Sequence, residues 1–145
     1  MAGAALRAAA LAALAHQGAP PGALTIRLTG DAELKRLNRD FLGHDYAADV
    51  LSFPSEEIEA GLRYFGDLAL SLPRAAAQAK AGGHSLKAEL QLLVVHGVLH
   101  LLGHDHATRR QQARMWAAQA EILASIDCEI GGPRPHLPSP SSERA

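Results

Sequence analysis

Leu6, Leu11 and Leu14 recur at near-helical spacing inside an alanine-rich stretch and predict a first amphipathic helix. After a turn at Gly18–Gly22 the period changes. Leu24, Ile26 and Leu28 alternate with Thr25 and Arg27, which predicts a strand over Ala23–Leu28 with the apolar set inward. Thr29-Gly30-Asp31 then supplies a turn and an N-cap, and the stripe Leu34, Leu37, Phe41 and Leu42 carries a helix to about Leu42. Gly43–Ala48 reads as a loop, Asp49–Pro54 as a short strand closed by proline, and the acidic Ser55–Gly61 as a loose hairpin loop. Arg63–Leu72 resumes strand character, with Gly66-Asp67 marking a bulge or a close backbone approach.

Pro73 opens a helix that Gly82-Gly83 ends. Ser85 caps the next helix, with Glu89 one residue beyond the ideal capping-box position. That helix carries Leu86, Leu90, Leu93, Val94, Gly97 and Leu101. A last amphipathic helix spans Thr108–Ile126 through Met115, Ile122 and Ile126. The order α-β-α-β-β-α-α-α predicts an α+β domain over residues 1–130: a small mixed β-sheet packed with about five α-helices. The tail 131–145 is rich in proline and serine, with little to bury, and is expected to be disordered.

Composition narrows the function. The chain has 145 residues, enough for one domain with its own core. A net charge of −1 gives no global basic field of the kind that advertises nucleic acid, although Arg27, Lys35, Arg36 and Arg39 offer a local patch. The single cysteine, Cys128, excludes an intrachain disulfide and suits a reducing compartment. No run reaches the roughly 18 apolar residues of a membrane span. Arg7 alone precedes a short alanine-dominated run, which makes a poor signal peptide. A cytoplasmic protein is expected.

The chemistry concentrates between His96 and His106, where four of the eight histidines fall in the arrangement H-x-x-x-H-x-x-G-x-x-H. His96 and His100, four apart, stand on one helix face within reach of one metal ion. Gly103 provides the exit, because glycine readily takes the left-handed conformation that reverses the chain, and His106 then folds back as a third ligand. Three imidazoles leave one tetrahedral position for water, the arrangement of a catalytic zinc site, with one Zn²⁺ per chain; nickel or copper would also suit such ligands. A metzincin protease carries a glutamate immediately after its first histidine, and here that position is Gly97. His104 lies off the ligand spacing and either supports the ligands, faces substrate or is simply exposed. Asp105 either orients a ligand imidazole, handles a proton or caps the helix from Thr108 onward. Asp49 and Asp67 occupy strand positions that either face the cleft or serve as turn cap and strand end.

These residues resemble a known family. His96–His106 is similar to the H-G-x-L-H-L-x-G-Y-D-H signature of the YbeY endoribonucleases, rRNA maturation factors formerly grouped as predicted metalloproteases. Leu37-Asn38 and the block Asp45–Pro54 resemble the family's L-N…D-x-P-T-D-V-L-S-F-P, and Phe65-Gly66-Asp67-Leu68 resembles its L-G-D-I. With Glu89-Leu90 before the histidines and Met115 and Glu121 after them, the resemblance runs from about Leu24 to Ile126. It implies a zinc-dependent endoribonuclease specific for single strands, acting in small-subunit rRNA 3′-end maturation and ribosome quality control. It also implies His96, His100 and His106 as ligands, with single-stranded RNA and the small ribosomal subunit as partners. Three positions depart from the family pattern. The arginine in the loop after the second helix is Leu42, the Pro-Thr pair is Ala47-Ala48, and the signature tyrosine is His104. Arg39 or Lys35 is the nearest replacement for the arginine, and Asp105 and Asp49 are the candidates for proton handling. Two other classes stay open: a metallopeptidase with a displaced base, and a non-catalytic assembly factor in which zinc only joins the last two helices.

Overall fold

A computed structural model of the chain describes residues 2–43, 48–105 and 107–130. In chain order its elements are α1 (Ala2–His16), β1 (Gly22–Thr29), α2 (Asp31–Leu42), β2 (Val50–Pro54), β3 (Ile58–Glu59), β4 (Leu62–Ser71), α3 (Leu72–Gly82), α4 (Leu86–Leu101) and α5 (Arg109–Ser125). The expected α+β class, mixed sheet and five helices are all present.

Strand β4 organises the sheet. It pairs parallel with β1 on one side and antiparallel with β2 on the other, and β3 folds back on its first residues. The acidic segment read as a loop therefore contains a short strand. Ala60 and Gly61 both take positive φ, the two-residue turn that matches strand twist, and they close a hairpin too short to show any alternation in sequence.

The sheet separates two apolar clusters. The larger one holds Leu68 and Leu70 of β4 and Val50 of β2 against α1, α3, α4 and α5. At its centre α4 is buried almost all round, from Ala88 to Leu99, as expected of a helix apolar on every side. The smaller cluster gathers Leu34 and Leu37 of α2 with Ala48, Leu51 and Ala69 on the opposite sheet face. Leu24 and Ile26 pack against the larger cluster as expected, but Leu28 is 38% exposed, because β1 is an edge strand.

Two helix starts left open by the sequence are decided by the structure. Gly30 occupies the N-cap of α2 and offers no side chain, while Asp31 sits in the first turn and accepts a hydrogen bond from the Ser71 hydroxyl. At α5 the cap is Thr108 rather than Asp105. Its hydroxyl accepts from Gln111 N–H at 3.1 Å, and Gln111 Oε1 accepts in return from Thr108 N–H at 3.1 Å, a complete capping box.

Candidate metal centre

The histidine helix is positioned by close packing on β4. A Cβ placed on Gly97 would lie 2.7 Å from a methyl of Leu68, itself fully buried. The Ser52 hydroxyl of β2 donates to the Gly97 carbonyl at 3.2 Å, which ties the middle of α4 to the edge strand. Residue 97 thus points into the sheet. A glutamate there would have to displace Leu68 and would bury its carboxylate in the core, so the protease arrangement is sterically excluded at its usual position.

One residue before this contact, His96 is fully buried. Its ring centroid is 4.8 Å from that of His100, with the ring planes at 74°. The Nε2 atoms of both rings are buried. On the far side of His96, Gln119 Oε1 lies 3.0 Å from Nδ1. A carbonyl oxygen there accepts from Nδ1–H, which sets the tautomer that an Nε2 metal ligand needs. Gln119 was not foreseen; it follows the buried Met115 by one helical turn, so its only trace in the sequence is a polar residue on the inward face of α5. The donor chemistry fits Zn²⁺: two neutral imidazoles one turn apart, one of them with its tautomer fixed.

Helix α4 ends as expected, with Gly103 at φ +102° and His104 N–H donating back to Leu99 at 2.9 Å. The third expected ligand, His106, lies outside the described residues, as do His44–Ala47 and the tail 131–145. Among the described residues no group of three or more metal donors forms.

Around these histidines the other candidates separate. His104 turns toward α1, where its Nε2 meets Gln17 Oε1 at 2.7 Å. Gln17 Nε2 in turn donates to His16 Nδ1 at 2.9 Å, and His16 Nε2 meets Glu121 of α5 at 2.7 Å. Burial holds the His104 imidazole below its ordinary pKa, with Arg114 and His16 adding to the effect. Asp105 is exposed and lines a cavity of about 220 Å³ with Gly103, His104, Gln111 and Arg114. Asp49 is only 2% exposed, with its Oδ1 3.6 Å from Arg74 Nη1 and its carbonyl accepting from Ser71 N–H at 3.0 Å. It sits three residues before Ser52, about 10 Å along an extended chain, at the α3 end of the sheet. Asp67 lies on the α2 face of the sheet, bonded to Tyr64. Of the basic candidates near Leu42, Arg39 pairs with Asp40 at 3.1 Å and Lys35 is exposed.

A second polar pair was also missed. The His84 and Glu89 side chains, 3% and 0% exposed, meet at 2.7 Å across the turn into α4. Glu89, one place beyond the capping position, thus braces the helix start from inside while Ser85 caps it through Ala88 N–H at 3.0 Å.

Comparison with known proteins places this geometry. Residues 3–127 match the family described as Endoribonuclease YbeY. Two similar proteins carry that name. The one from Solibacter usitatus is 52% identical over 104 residues, covering 72% of this chain and 66% of the relative. The one from Chloroflexus aurantiacus is 47% identical over 127 residues, covering 81% and 82%. The solution structure of TM1509 from Thermotoga maritima shares the fold, with a TM-score of 0.51 at 23% identity over 83% of this chain and 80% of that one. From the histidine helix and its Gly97 contact to the full span of the match, the chain belongs to the endoribonuclease YbeY family.

Proposed function

We propose that the protein is a metal-dependent endoribonuclease that cuts single-stranded RNA, with His96, His100 and His106 as the ligands of one Zn²⁺. The observation that carries this reading is the pair His96–His100, with buried Nε2 atoms and with Gln119 fixing the His96 tautomer, in a chain of this family. Bound there, a zinc ion supplies a Lewis acid for a phosphoryl oxygen and lowers the pKa of water. The chain's own residues do the rest. Gln119 holds the His96 ring in place. Arg114, in the wall of the cavity beside Asp105, neutralises charge on the scissile phosphate in the role that Leu42 does not fill. The Asp105 carboxylate accepts and returns the proton of the phosphodiester cleavage. Asp49 is less suited to that task, because Arg74 holds it at the other end of the sheet.

The two alternatives are weaker on structural grounds. Gly97 has no room for a protease's glutamate, so a peptidase would have to draw its base from elsewhere. A zinc clasp between α4 and α5 is superfluous, since Met115 and Ile122 already pack into the common core and His96 already bonds Gln119. Ribosomal RNA as substrate and the small subunit as partner follow from the family resemblance, and the cytoplasm as location from the composition. Among the described residues no helix is long and apolar enough to cross a membrane.

The test is incubation of zinc-loaded protein with single-stranded RNA and, separately, with casein. RNA cleavage that falls to background in both His96→Ala and His100→Ala, together with loss of stoichiometric zinc, is the expected result. Proteolysis without RNA cleavage would overturn the reading, and so would a purified chain that takes up no transition metal.

A further inference from the structure

Phe53 and Asp67 belong to the two family-like blocks outside the histidine run, and the metal centre leaves both unused. Strand register brings them together. Phe53 pairs with Asp67 across β2 and β4, and Asp67 pairs with Thr25 across β4 and β1. The three side chains form one row across the sheet on the face that α2 only partly covers. At Phe65 the register with β1 shifts by one residue, and this bulge turns Tyr64 onto the same face. The Tyr64 hydroxyl lies 2.7 Å from Thr25 Oγ1 and also bonds Asp67 Oδ1. Opposite the row, Phe41 in the last turn of α2 stands edge-on to Phe53, with ring centroids 6.0 Å apart and planes at 75°. Phe41 is 66% exposed, an uncommon cost for a phenylalanine. Between these elements runs a groove of about 580 Å³ lined by Thr25, Arg27, Leu37, Phe41, Phe53 and Asp67.

We propose that this groove is a subsite for one unpaired nucleobase of the RNA, outside the nucleotide that is cut; the proposal rests on the ribonuclease reading above. The exposed Phe41 ring offers a stacking platform, the usual device for holding single-stranded bases. The polar row gives the groove an edge to read. An apolar peptide laid there would take the Asp67 carboxylate out of water with a tyrosine hydroxyl as its partner, whereas the edge of a base supplies further hydrogen bonds. The Asp67 carboxylate accepts from an exocyclic amino group, so guanine, adenine or cytosine suits it, and uracil presents a carbonyl instead. Arg27, at the rim, is placed for the phosphate. The groove lies back to back with the metal helix across the sheet. Ser52, next to Phe53, bonds the Gly97 carbonyl, and Leu68, next to Asp67, packs on Gly97. Because β2 is an edge strand, RNA passing around it reaches both faces.

The experiment is fluorescence anisotropy of the zinc-loaded full chain with 2′-O-methyl heptamers, one all-uridine and one carrying a single central guanosine. The guanosine heptamer is expected to bind several-fold more tightly. Phe41→Ala weakens it roughly tenfold, within the range for loss of one stacked base. Phe41→Trp retains binding and is quenched by it, and Asp67→Asn removes the preference for guanosine while leaving oligouridine binding unchanged. Unchanged affinities in both Phe41→Ala and Asp67→Asn, in protein that still cleaves RNA, would remove the subsite and leave the ribonuclease standing. Wild-type protein that neither binds nor cleaves RNA would end both proposals. Competition for the groove by an apolar peptide but not by either heptamer would reassign it to a protein partner and overturn the subsite.

Discussion

On one face of the sheet, α4 lies so close that Gly97 leaves no room for a methyl group beside Leu68; on the other, α2 covers one end and leaves Phe41 standing in solvent. The first face is packed like a protein interior, where adding a single carbon is felt. The second is a small cluster beside an open groove. The proposed metal ligands sit with the dense packing that fixed donors require, and the proposed base subsite sits where packing is sparse.

The contrast is most strongly tested at residue 97. Gly97→Glu combines overpacking, about 1–3 kcal/mol, with an unpaired carboxylate in the core; the sum exceeds about 4 kcal/mol, a large share of an ordinary domain's stability. Urea denaturation should show a collapsed midpoint or no folded baseline. A stable Gly97→Glu protein would mean that this face is not tightly packed. Gly97→Ala is milder, because the helix gain of about 0.5–1 kcal/mol offsets part of the clash.

Next in size is Gln119→Leu, a substitution of similar volume that removes the acceptor from His96 Nδ1. Zinc affinity should fall about 10–100-fold, read by competition with a chelator. If affinity holds, the His96 orientation comes from packing alone and the densely packed face owes nothing to α5 chemistry. The smallest effect belongs to the open face. Phe41→Ala should cost less than about 1 kcal/mol of stability, since it loses one edge-to-face contact and little burial. A loss comparable to that of Gly97→Glu would erase the distinction between the faces.

Much of the dense face was legible before any coordinates. Its helices carry long periodic stripes, and its two candidate ligands sit four residues apart, so local geometry alone brings His96 beside His100. What escaped depends on partners distant in sequence. Gln119 is 23 positions from His96, and nothing local says that α5 turns it inward. The cap of α5 stayed open because Asp105 and Thr108 are both good capping residues, and only the reciprocal Gln111 bond decides between them. The groove was hidden for a similar reason. Thr25, Phe53 and Asp67 come from three strands, and their alignment exists only once the register of β4 is set. Strand β3, two residues long, has no periodicity to read.

The contacts of α1 have a consequence for how the chain is made. Its alanine-lined face packs in the same core as α4 and α5, and its end is bonded to residues far along the chain: Ala5 to Gln91, Gln17 to His104 and His16 to Glu121, separations of 86, 87 and 105 residues. During synthesis α1 therefore waits, apolar and unpartnered, until most of the sequence that shelters it has been translated. The loop that follows the histidine helix is anchored by that same wait. The histidine helix is thus seated late, and the first helix is the segment that waits longest before the fold closes.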